Sequence, residues 1–254
     1  MVTTPTQCAE LAQTLADVWG IPERSGVGSP DMLSALSFSG GYVAAVRVGG
    51  RVVGGGYGWP TRVGGEWRLH SHVIGFLPEF RALGLGAQIK YHQRLWAAET
   101  GLDALEWTYD PLHAVNARFN LSKLGARVVG FYENFYGPMS DAFHTGLPSD
   151  RFLVRWGLDD APRPLPTAMG EALLACGDDE MPRGAIEAVG IVTAEIPADI
   201  VDLRRRDHQV AAAWSQAFAR TVGARVAAGC AVLGINDHRE YVIDTSSAPK
   251  MEIG

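Results

Sequence analysis

Residues 77–86 read LPEFRALGLG and carry the strongest local signal in the chain. They follow a segment with strand character, residues 67–76, and precede an amphipathic segment that ends near Gly101. Glycines at a strand-to-helix turn let the backbone approach a ligand closely, and the free N–H groups of the first helical turn attract an anion. These residues therefore predict a cradle for a phosphate or pyrophosphate, to which Arg81 adds a charge-assisted contact.

A second copy of the R-x-x-G-x-G pattern, residues 51–56 (RVVGGG), tests how specific the pattern is. That copy continues into Tyr57-Gly-Trp-Pro60, which cannot begin a helix, so its amides would not converge. Neither copy has the Gly-Lys-Ser/Thr of a Walker A loop or the G-x-G-x-x-G of a dinucleotide site. From the residues alone, the alternative to an anion site at 77–86 is a helix-start turn without a ligand.

The remaining sequence indicates a mixed α/β protein with the element order αα-βββ-α-β-α-β-β. The predicted helices are residues 6–19, 31–36, the segment after the glycine loop, and 112–124, which Gly125 closes. The predicted strands are residues 42–48, 51–57, 67–76, 104–109, 126–131 and 151–156. Gly49-Gly50 predicts a two-residue hairpin turn between the first two strands.

Proline and glycine are frequent in residues 159–184, which predicts a linker. We therefore expect a first domain at residues 1–158 and a C-terminal β-α-β subdomain at residues 185–254. Within the subdomain, residues 188–196 predict a strand and residues 199–222 a long amphipathic helix, with one or two strands after it.

Composition and charge exclude several classes of protein. The 254 residues are 47% hydrophobic and 20% charged, which is typical of a packed globular protein and not of a disordered one. A net charge of −6 argues against a nucleic-acid partner. Cys8, Cys176 and Cys230 are far apart, so no metal site or disulfide framework is expected, and a reducing cytoplasm is the expected compartment. The longest apolar run, residues 227–235, is too short for a membrane span, so no membrane partner is expected.

In this context, residues 77–86 resemble the acyl-CoA signature of the GNAT N-acyltransferase superfamily. The element order of residues 5–158 resembles that superfamily as well. The segments WTYDPL (107–112), NARFNLSKLGA (116–126) and NFYG (134–137) are similar to a little-characterised branch with a C-terminal extension. The resemblance implies a central, mostly antiparallel, splayed sheet flanked by helices. It also implies acetyl-CoA or another acyl-CoA as co-substrate, with no metal.

The resemblance further implies where the thioester binds. The sheet should splay between the strand before the loop and the strand at residues 104–109, so that the pantetheine arm pairs with the strand before the loop like an added strand. The loop amides should hold the pyrophosphate. The implied cofactor-binding residues are Ile74, Phe76 and Leu77 on the strand, Arg81, Ala82, Gly84, Leu85 and Gly86 in the loop, and Asn116 and Asn120 on the helix at residues 112–124, which contact either cofactor or substrate.

His70 and His72 are the candidate proton acceptors. They stand two apart on a strand, so alternation places both on one face. Histidine has the right intrinsic pKa for this task, and a water can relay the proton. The spacing is similar to a histidine pair in the arylalkylamine branch of GNAT enzymes. The alternative is a pair of hydrogen-bonded strand histidines without a catalytic role.

The acid that protonates the leaving thiolate is less well defined. Many GNAT members have a tyrosine four residues before the helix-closing glycine, and that position is Leu121 here. Tyr109 is the candidate substitute, with Tyr132 and Tyr136 also near in the fold. The alternatives are that each tyrosine is a packed aromatic whose hydroxyl is satisfied, and that solvent protonates the thiolate.

Asp110 ends the strand at residues 104–109 and is the candidate site for the substrate ammonium. The alternative is a turn residue that caps the next helix. The basic run Arg204-Arg205-Arg206 is expected on the solvated side of the long C-terminal helix.

The sequence therefore favours an acyl-CoA-dependent N-acyltransferase that acts on a small amine or amino acid by direct transfer. Acetyl is the default acyl group, and succinyl is an alternative. A non-catalytic acyl-CoA-binding or sensor module remains open because of Leu121. A third hypothesis gives the C-terminal extension an interaction role, such as homodimer formation.

Overall fold

The structure, a computed structural model, describes residues 1–20, 27–137, 147–167, 170–184 and 188–246. The chain divides into two compact units. The first contains residues 1–107 and 157–159, and the second contains residues 108–156 and 160–254. These bounds differ from the domain bounds expected at residues 158 and 185, which remain predictions.

The first unit contains the elements that surround the glycine loop. They are α1 (Pro5–Trp19), α2 (Pro30–Phe38), β1 (Tyr42–Val48), β2 (Arg51–Val63), β3 (Glu66–Phe76), α3 (Leu85–Glu99) and β4 (Ala104–Tyr109), whose last two residues belong to the second unit. Helix α1 begins with a capping box between Thr4 and Gln7, and it ends at Gly20 in the left-handed conformation. The predicted order of these elements is confirmed.

Strands β1, β2 and β3 form an antiparallel sheet. The hairpin between β1 and β2 turns at Gly49 and Gly50, both with positive φ, as the sequence predicts. Strand β4 joins β3 in parallel over three residue pairs, from Arg68 opposite Ala104 to His70 opposite Glu106. Beyond His70 the two strands part, while β3 continues to Phe76. The expected splay therefore begins at His70.

The second copy of the glycine pattern lies inside strand β2, as the sequence predicts. A Cβ atom at Gly54 would lie 2.4 Å from the carbonyl oxygen of Gly75, and one at Gly56 would lie 2.3 Å from that of Val73. The glycines here allow close packing of strands instead of opening a ligand cradle.

The second unit contains the remaining helices and strands. They are α4 (Ala114–Arg118), β5 (Arg127–Tyr132), β6 (Arg151–Gly157), β7 (Glu171–Cys176), β8 (Pro182–Gly184), β9 (Ile191–Glu195), α5 (Ile200–Arg206), α6 (His208–Phe218), α7 (Ala224–Ala227), β10 (Ala231–Ile235) and β11 (Glu240–Asp244). Strands β5 and β6 pair in antiparallel fashion. The C-terminal strands form a five-stranded sheet in the order β10-β11-β9-β7-β8.

Residues 159–184, the predicted linker, include strands β7 and β8 of the five-stranded sheet. One expectation for the C-terminal helices differs from the structure. The single long helix predicted at residues 199–222 is divided into α5 and α6 at Asp207, whose side chain accepts hydrogen bonds from the amides of Gln209 and Val210. A helix-breaking cap inside an amphipathic pattern is difficult to detect, because the periodicity of the apolar residues continues across it.

Each unit has its own core. In the first, α1 and α2 pack on the sheet through apolar residues that include Leu11, Leu15 and Leu33. In the second, Phe152 lies at the centre of an aromatic cluster, with ring centroids 5.6 Å from Phe218 and 5.5 Å from Tyr241. The C-terminal residues therefore share a core with strand β6.

Candidate functional site

The glycine loop begins where strand β3 ends. A single 3-10 turn, Pro78–Phe80, follows Leu77, and Gly84 is the N-cap of α3 with a φ of 79°. Ala82 also has a positive φ, of 61°, which is uncommon for a residue with a Cβ atom. The loop therefore holds one strained non-glycine residue beside the glycine that needs the left-handed conformation.

The first turn of α3 presents amides that the helix does not use. The carbonyl of Gly84 accepts hydrogen bonds from Ala87 and Gln88, so the amides of Leu85 and Gly86 precede the first internal donor. Within the described part of the chain, no side chain caps this helix end. A Cβ atom placed at Gly84 would meet nothing within 4 Å. These amides and the helix dipole form a site suited to an anion.

Arg81 turns back from the loop towards backbone carbonyls. Its Nε donates to the carbonyl oxygen of Phe76 at 3.1 Å, and its Nη2 lies 3.4 Å from that of Val18. The side chain thus stabilises the strand-to-loop junction. The predicted contact of Arg81 with a phosphate remains a prediction.

Strand β3 has a free edge next to the loop. The amide of Leu77 donates to Val53, so Leu77 and Gly75 direct their backbone groups towards β2. Alternation then directs the backbone groups of Ile74 and Phe76 away from β2, towards the side from which β4 departs. The Phe76 carbonyl is engaged by Arg81, which leaves Ile74 as the principal position for an added strand-like partner.

The two predicted catalytic histidines lie together. Their ring centroids are 5.8 Å apart, and both rings contact Trp59, at 5.1 Å for His70 and 4.9 Å for His72. Burial and the nearby Lys90 amine lower the pKa of His70. Burial, with the charge of His70, lowers the pKa of His72 to about 4. Both imidazoles are therefore in the neutral form that can accept a proton near neutral pH.

Sequence reasoning missed a buried polar cluster on the opposite side of β3. The amine of Lys90 lies 2.9 Å from the hydroxyl of Ser71, which lies 2.9 Å from the side-chain oxygen of Gln93. The Lys90 nitrogen also lies 3.4 Å from the ring centroid of Trp107. The available signal was the helical spacing of residues 90 and 93, which places a lysine and a glutamine on the apolar face of α3.

The structure gives Tyr109 a packing role. Its side chain is buried in the second unit, and its hydroxyl lies 3.2 Å from that of Tyr241, which donates to the carbonyl of Pro111. Burial raises the pKa of Tyr109, which opposes deprotonation. These contacts favour the alternative for Tyr109, a packed aromatic with a satisfied hydroxyl, and its role as the catalytic acid stays a prediction. Tyr132 and Tyr136 lie at the surface.

Asp110 is held by an ion pair. Its carboxylate lies 2.7 Å from Arg204, and it also caps the turn by accepting from the amide of Leu112. Burial alone would raise the pKa of Asp110, but Arg204 and Arg151 hold it below its ordinary value. An incoming ammonium would have to displace a buried guanidinium, which favours a structural role for Asp110, and its ammonium-binding role stays a prediction. Arg204, expected on a solvated face, is 5% exposed.

The predicted helix residues Asn116 and Asn120 differ in burial. Asn116 is exposed on α4, whereas Asn120 is 3% exposed in the π-turn Phe119–Lys123 that follows. Both belong to the second unit, and their predicted contact with a cofactor or substrate remains a prediction.

The described residues contain neither a membrane-spanning helix nor a metal-binding cluster. None of the helices there is both long and apolar enough to cross a lipid bilayer. No group of three or more histidine, cysteine or carboxylate side chains comes together there as a metal site would require.

No protein-family model matches the chain. A comparison with curated protein sequences gave no match either. Among solved structures, a GNAT-family acetyltransferase from Streptococcus pneumoniae is 15% identical, with 61% of this chain and 96% of that chain covered and a TM-score of 0.49. The ribosomal-protein-alanine N-acetyltransferase from Brucella melitensis is 16% identical over 62% of this chain and 98% of its own, with a TM-score of 0.49.

A GNAT-family acetyltransferase from Elizabethkingia anophelis with acetyl-CoA bound is 17% identical, covers 49% of this chain and 81% of its own, and has a TM-score of 0.40. These are proteins that the chain is similar to over part of its length. Membership of the GNAT superfamily is therefore a proposal for this chain, for which its own loop and strand geometry provide the argument.

Proposed function

We propose that this protein is an acyl-CoA-dependent N-acyltransferase of the GNAT superfamily that transfers an acyl group directly to a small amine or amino acid. One observation carries the proposal: the unused amides of Leu85 and Gly86 lie at an open helix start directly after a strand with a free edge. A pyrophosphate is an anion of the size that one helix start binds.

The free edge of β3 is the proposed place for the pantetheine arm. The arm contains amide groups, which pair with a strand edge as an additional strand would. The backbone groups of Ile74 face this edge, beyond the point at which β4 leaves β3. The thioester then lies near the parting of the strands, where His70 is the last residue of β3 paired with β4.

The histidine pair is proposed to accept the proton of the attacking amine. The amine nitrogen attacks the thioester carbonyl carbon, the carbon–sulfur bond breaks, and the amine proton passes to an imidazole directly or through water. His70 is the favoured acceptor, because a pKa near 4 makes His72 a weak base. The departing thiolate takes its proton from solvent, since the hydroxyl of Tyr109 is occupied in the core.

Acetyl is the proposed acyl group, and succinyl is the second candidate. Calorimetric titration of the protein with acetyl-CoA, succinyl-CoA and free CoA separates these, because a preference among the three must come from contacts with the acyl part. The better thioester is then tested for thiol release with a panel of small amines and amino acids.

The anion site is tested by Gly84→Glu, with Gly64→Glu as the matched control. Both glycines have positive φ and open space where a Cβ would lie, so both variants should lose about 1–2 kcal/mol of stability from the left-handed backbone. Only Gly84→Glu places a carboxylate at the open helix start. We expect it to weaken acetyl-CoA binding at least about 100-fold, through like-charge repulsion and blocked amides, while Gly64→Glu binds as the wild type does.

Equal binding by wild type and Gly84→Glu would show that the anion site is elsewhere. The sensor hypothesis keeps a specific observation in its favour: Leu121, at the position where related enzymes carry their acid, is a buried apolar side chain. Tight binding of acyl-CoA without thiol release across the amine panel would favour the sensor over the enzyme.

A further inference from the structure

The lysine of the buried polar cluster has no ordinary packing role. Lys90 is 4% exposed, and none of the described carboxylates pairs with it. Its contacts are the Ser71 hydroxyl and the ring of Trp107. Burial lowers the pKa of Lys90 well below its ordinary value. An apolar side chain could be buried at this position with a smaller loss of free energy. The presence of the Lys90 amine is therefore explained by the groups that it contacts.

The Lys90 amine binds the hydroxyl of Ser71. Ser71 lies between His70 and His72, and its side chain faces α3 while theirs face the other side of the sheet. On the histidine side, Trp59 contacts both rings. The strand is therefore fixed from both sides at this position, by an aromatic ring on one side and by a buried hydrogen-bonded amine on the other.

The strand is irregular at this position and needs such support. Ser71 is opposite Gly58 in β2, but the next pair joins Val73 to Tyr57, so His72 is the additional residue of a β-bulge. A bulge redirects the side chains next to it and interrupts the ladder of hydrogen bonds. The contact from α3 is therefore made to Ser71, the residue directly before His72, and the bulge sets the direction of the His72 side chain.

We propose that Lys90 is a positioning residue for the histidine pair: its buried amine holds Ser71 and thereby fixes the bulge that directs His70 and His72 to one side of β3. The proposal rests on the proposed function for its catalytic meaning, but the positioning can be measured without any acyl transfer. Gln93 supports the cluster by holding the Ser71 hydroxyl from one helical turn further along α3.

The charges around His70 allow a direct measurement. Arg68 and Glu106 lie on its side of the sheet and are joined to each other at 3.0 Å, and Glu66 also binds Arg68. Strand β2 places the uncharged Trp59 next to His70, and His72 is the neighbouring titratable ring. From α3, the protonated form of the Lys90 amine lowers the pKa of His70. Removal of its amine should therefore make His70 easier to protonate.

The experiment compares wild type, Lys90→Met, Ser71→Ala and the exposed control Lys123→Met. The titration of His70 and His72 is followed by NMR through their ring protons. In Lys90→Met we expect the midpoint of His70 to rise by about 0.5 pH or more, and in both cluster variants we expect the ring resonances of His70 and His72 to move, because the bulge is released. Lys123→Met should match the wild type.

The kinetic arm uses the acyl-transfer assay. Lys90→Met and Ser71→Ala should lower kcat about tenfold or more while the KM for the acyl thioester changes less than about twofold, because the loop that binds it is intact.

Unchanged histidine titrations and ring resonances in both cluster variants would overturn the proposal. Ser71→Ala retains the amine, so it decides the question if Lys90→Met fails to fold. If the wild type transfers no acyl group, the proposed function fails while the NMR comparison still decides the positioning.

Discussion

His70 and His72 belong to one strand and contact the same tryptophan, yet they are not equivalent. His70 is paired in the ladder with both neighbouring strands, whereas His72 is the extra residue of the bulge. The pKa of His72 falls to about 4 because it is buried next to another imidazole. The two residues therefore differ in the free energy needed to protonate them, and this favours His70 as the proton acceptor.

The lowered pKa of His72 connects protein stability to pH. The unfolded chain binds this proton near the ordinary pKa of 6.5 and the folded chain near 4, so the contribution of the neutral imidazole is complete above 6.5 and is lost as pH falls towards 4. We expect His72→Phe, which keeps an aromatic ring against Trp59, to lose less Tm than the wild type between pH 6.5 and 4. Scanning calorimetry at several pH values measures this.

The control for that experiment is His238→Phe, at an exposed histidine of the second unit. It should lose Tm with falling pH as the wild type does. If His72→Phe and the wild type show the same loss, the buried imidazole of His72 does not contribute to acid sensitivity.

Among the elements, strand β3 performs several tasks at once. One edge pairs with β2, and the other is paired with β4 only as far as His70. One face carries the histidines, and the other carries Ser71 against helix α3. A strand that is paired on one side and open on the other can hold its side chains rigidly while its free edge receives an extended ligand.

The C-terminal helices depend on a cap within their sequence. Asp207 ends α5 and is the N-cap of α6, where it accepts hydrogen bonds from the amides of Gln209 at 3.1 Å and Val210 at 3.0 Å. Asp207→Ala should destabilise the second unit by about 1 kcal/mol, since two amides lose their acceptor. Urea denaturation followed by circular dichroism measures the change.

Asp207→Asn is the matched variant, because asparagine caps helices about as well as aspartate. It should retain most of the stability that alanine loses. A loss as large for asparagine as for alanine would show that the charge of Asp207, and not its capping bond, stabilises α6.

On the largest scale, the C-terminal residues share an aromatic core with strand β6 of the second unit. Phe218 of α6 and Tyr241 of β11 pack on Phe152 of β6, and Tyr241 binds the hydroxyl of Tyr109. Residues on either side of the predicted linker therefore bury one another's aromatic surface. The cooperative behaviour of residues 108–156 should depend on the C-terminal segment.

Phe218→Ala tests this dependence. Removal of a ring that is 1% exposed should cost about 3–5 kcal/mol, because the transfer free energy is lost and a cavity remains. Hydrogen exchange should accelerate in β5 and β6 as well as in α6. The exposed Phe38→Ala, at 94% exposure in the first unit, is the control and should change stability by less than about 0.5 kcal/mol. Acceleration confined to α6 would contradict a shared core.

Elements with local signals were predictable from the amino-acid sequence. Glycines with positive φ define the hairpin at Gly49-Gly50 and the start of α3 at Gly84, because few other residues adopt that backbone conformation. Alternation placed His70 and His72 together, and the period of the apolar residues located α1 and α3. The mixed α/β class followed from that order, and the resemblance implied a splay between β3 and β4, whose start at His70 the structure shows.

Which polar groups already have partners becomes visible only in the folded chain. Tyr109 meets Tyr241, and Asp110 meets Arg204, across more than ninety residues of chain. Lys90 is buried against Ser71 and Trp107 from two other elements. Whether a titratable side chain is available for chemistry depends on its partners and its burial. Those are set by long-range packing, which leaves no periodic or local mark in the sequence.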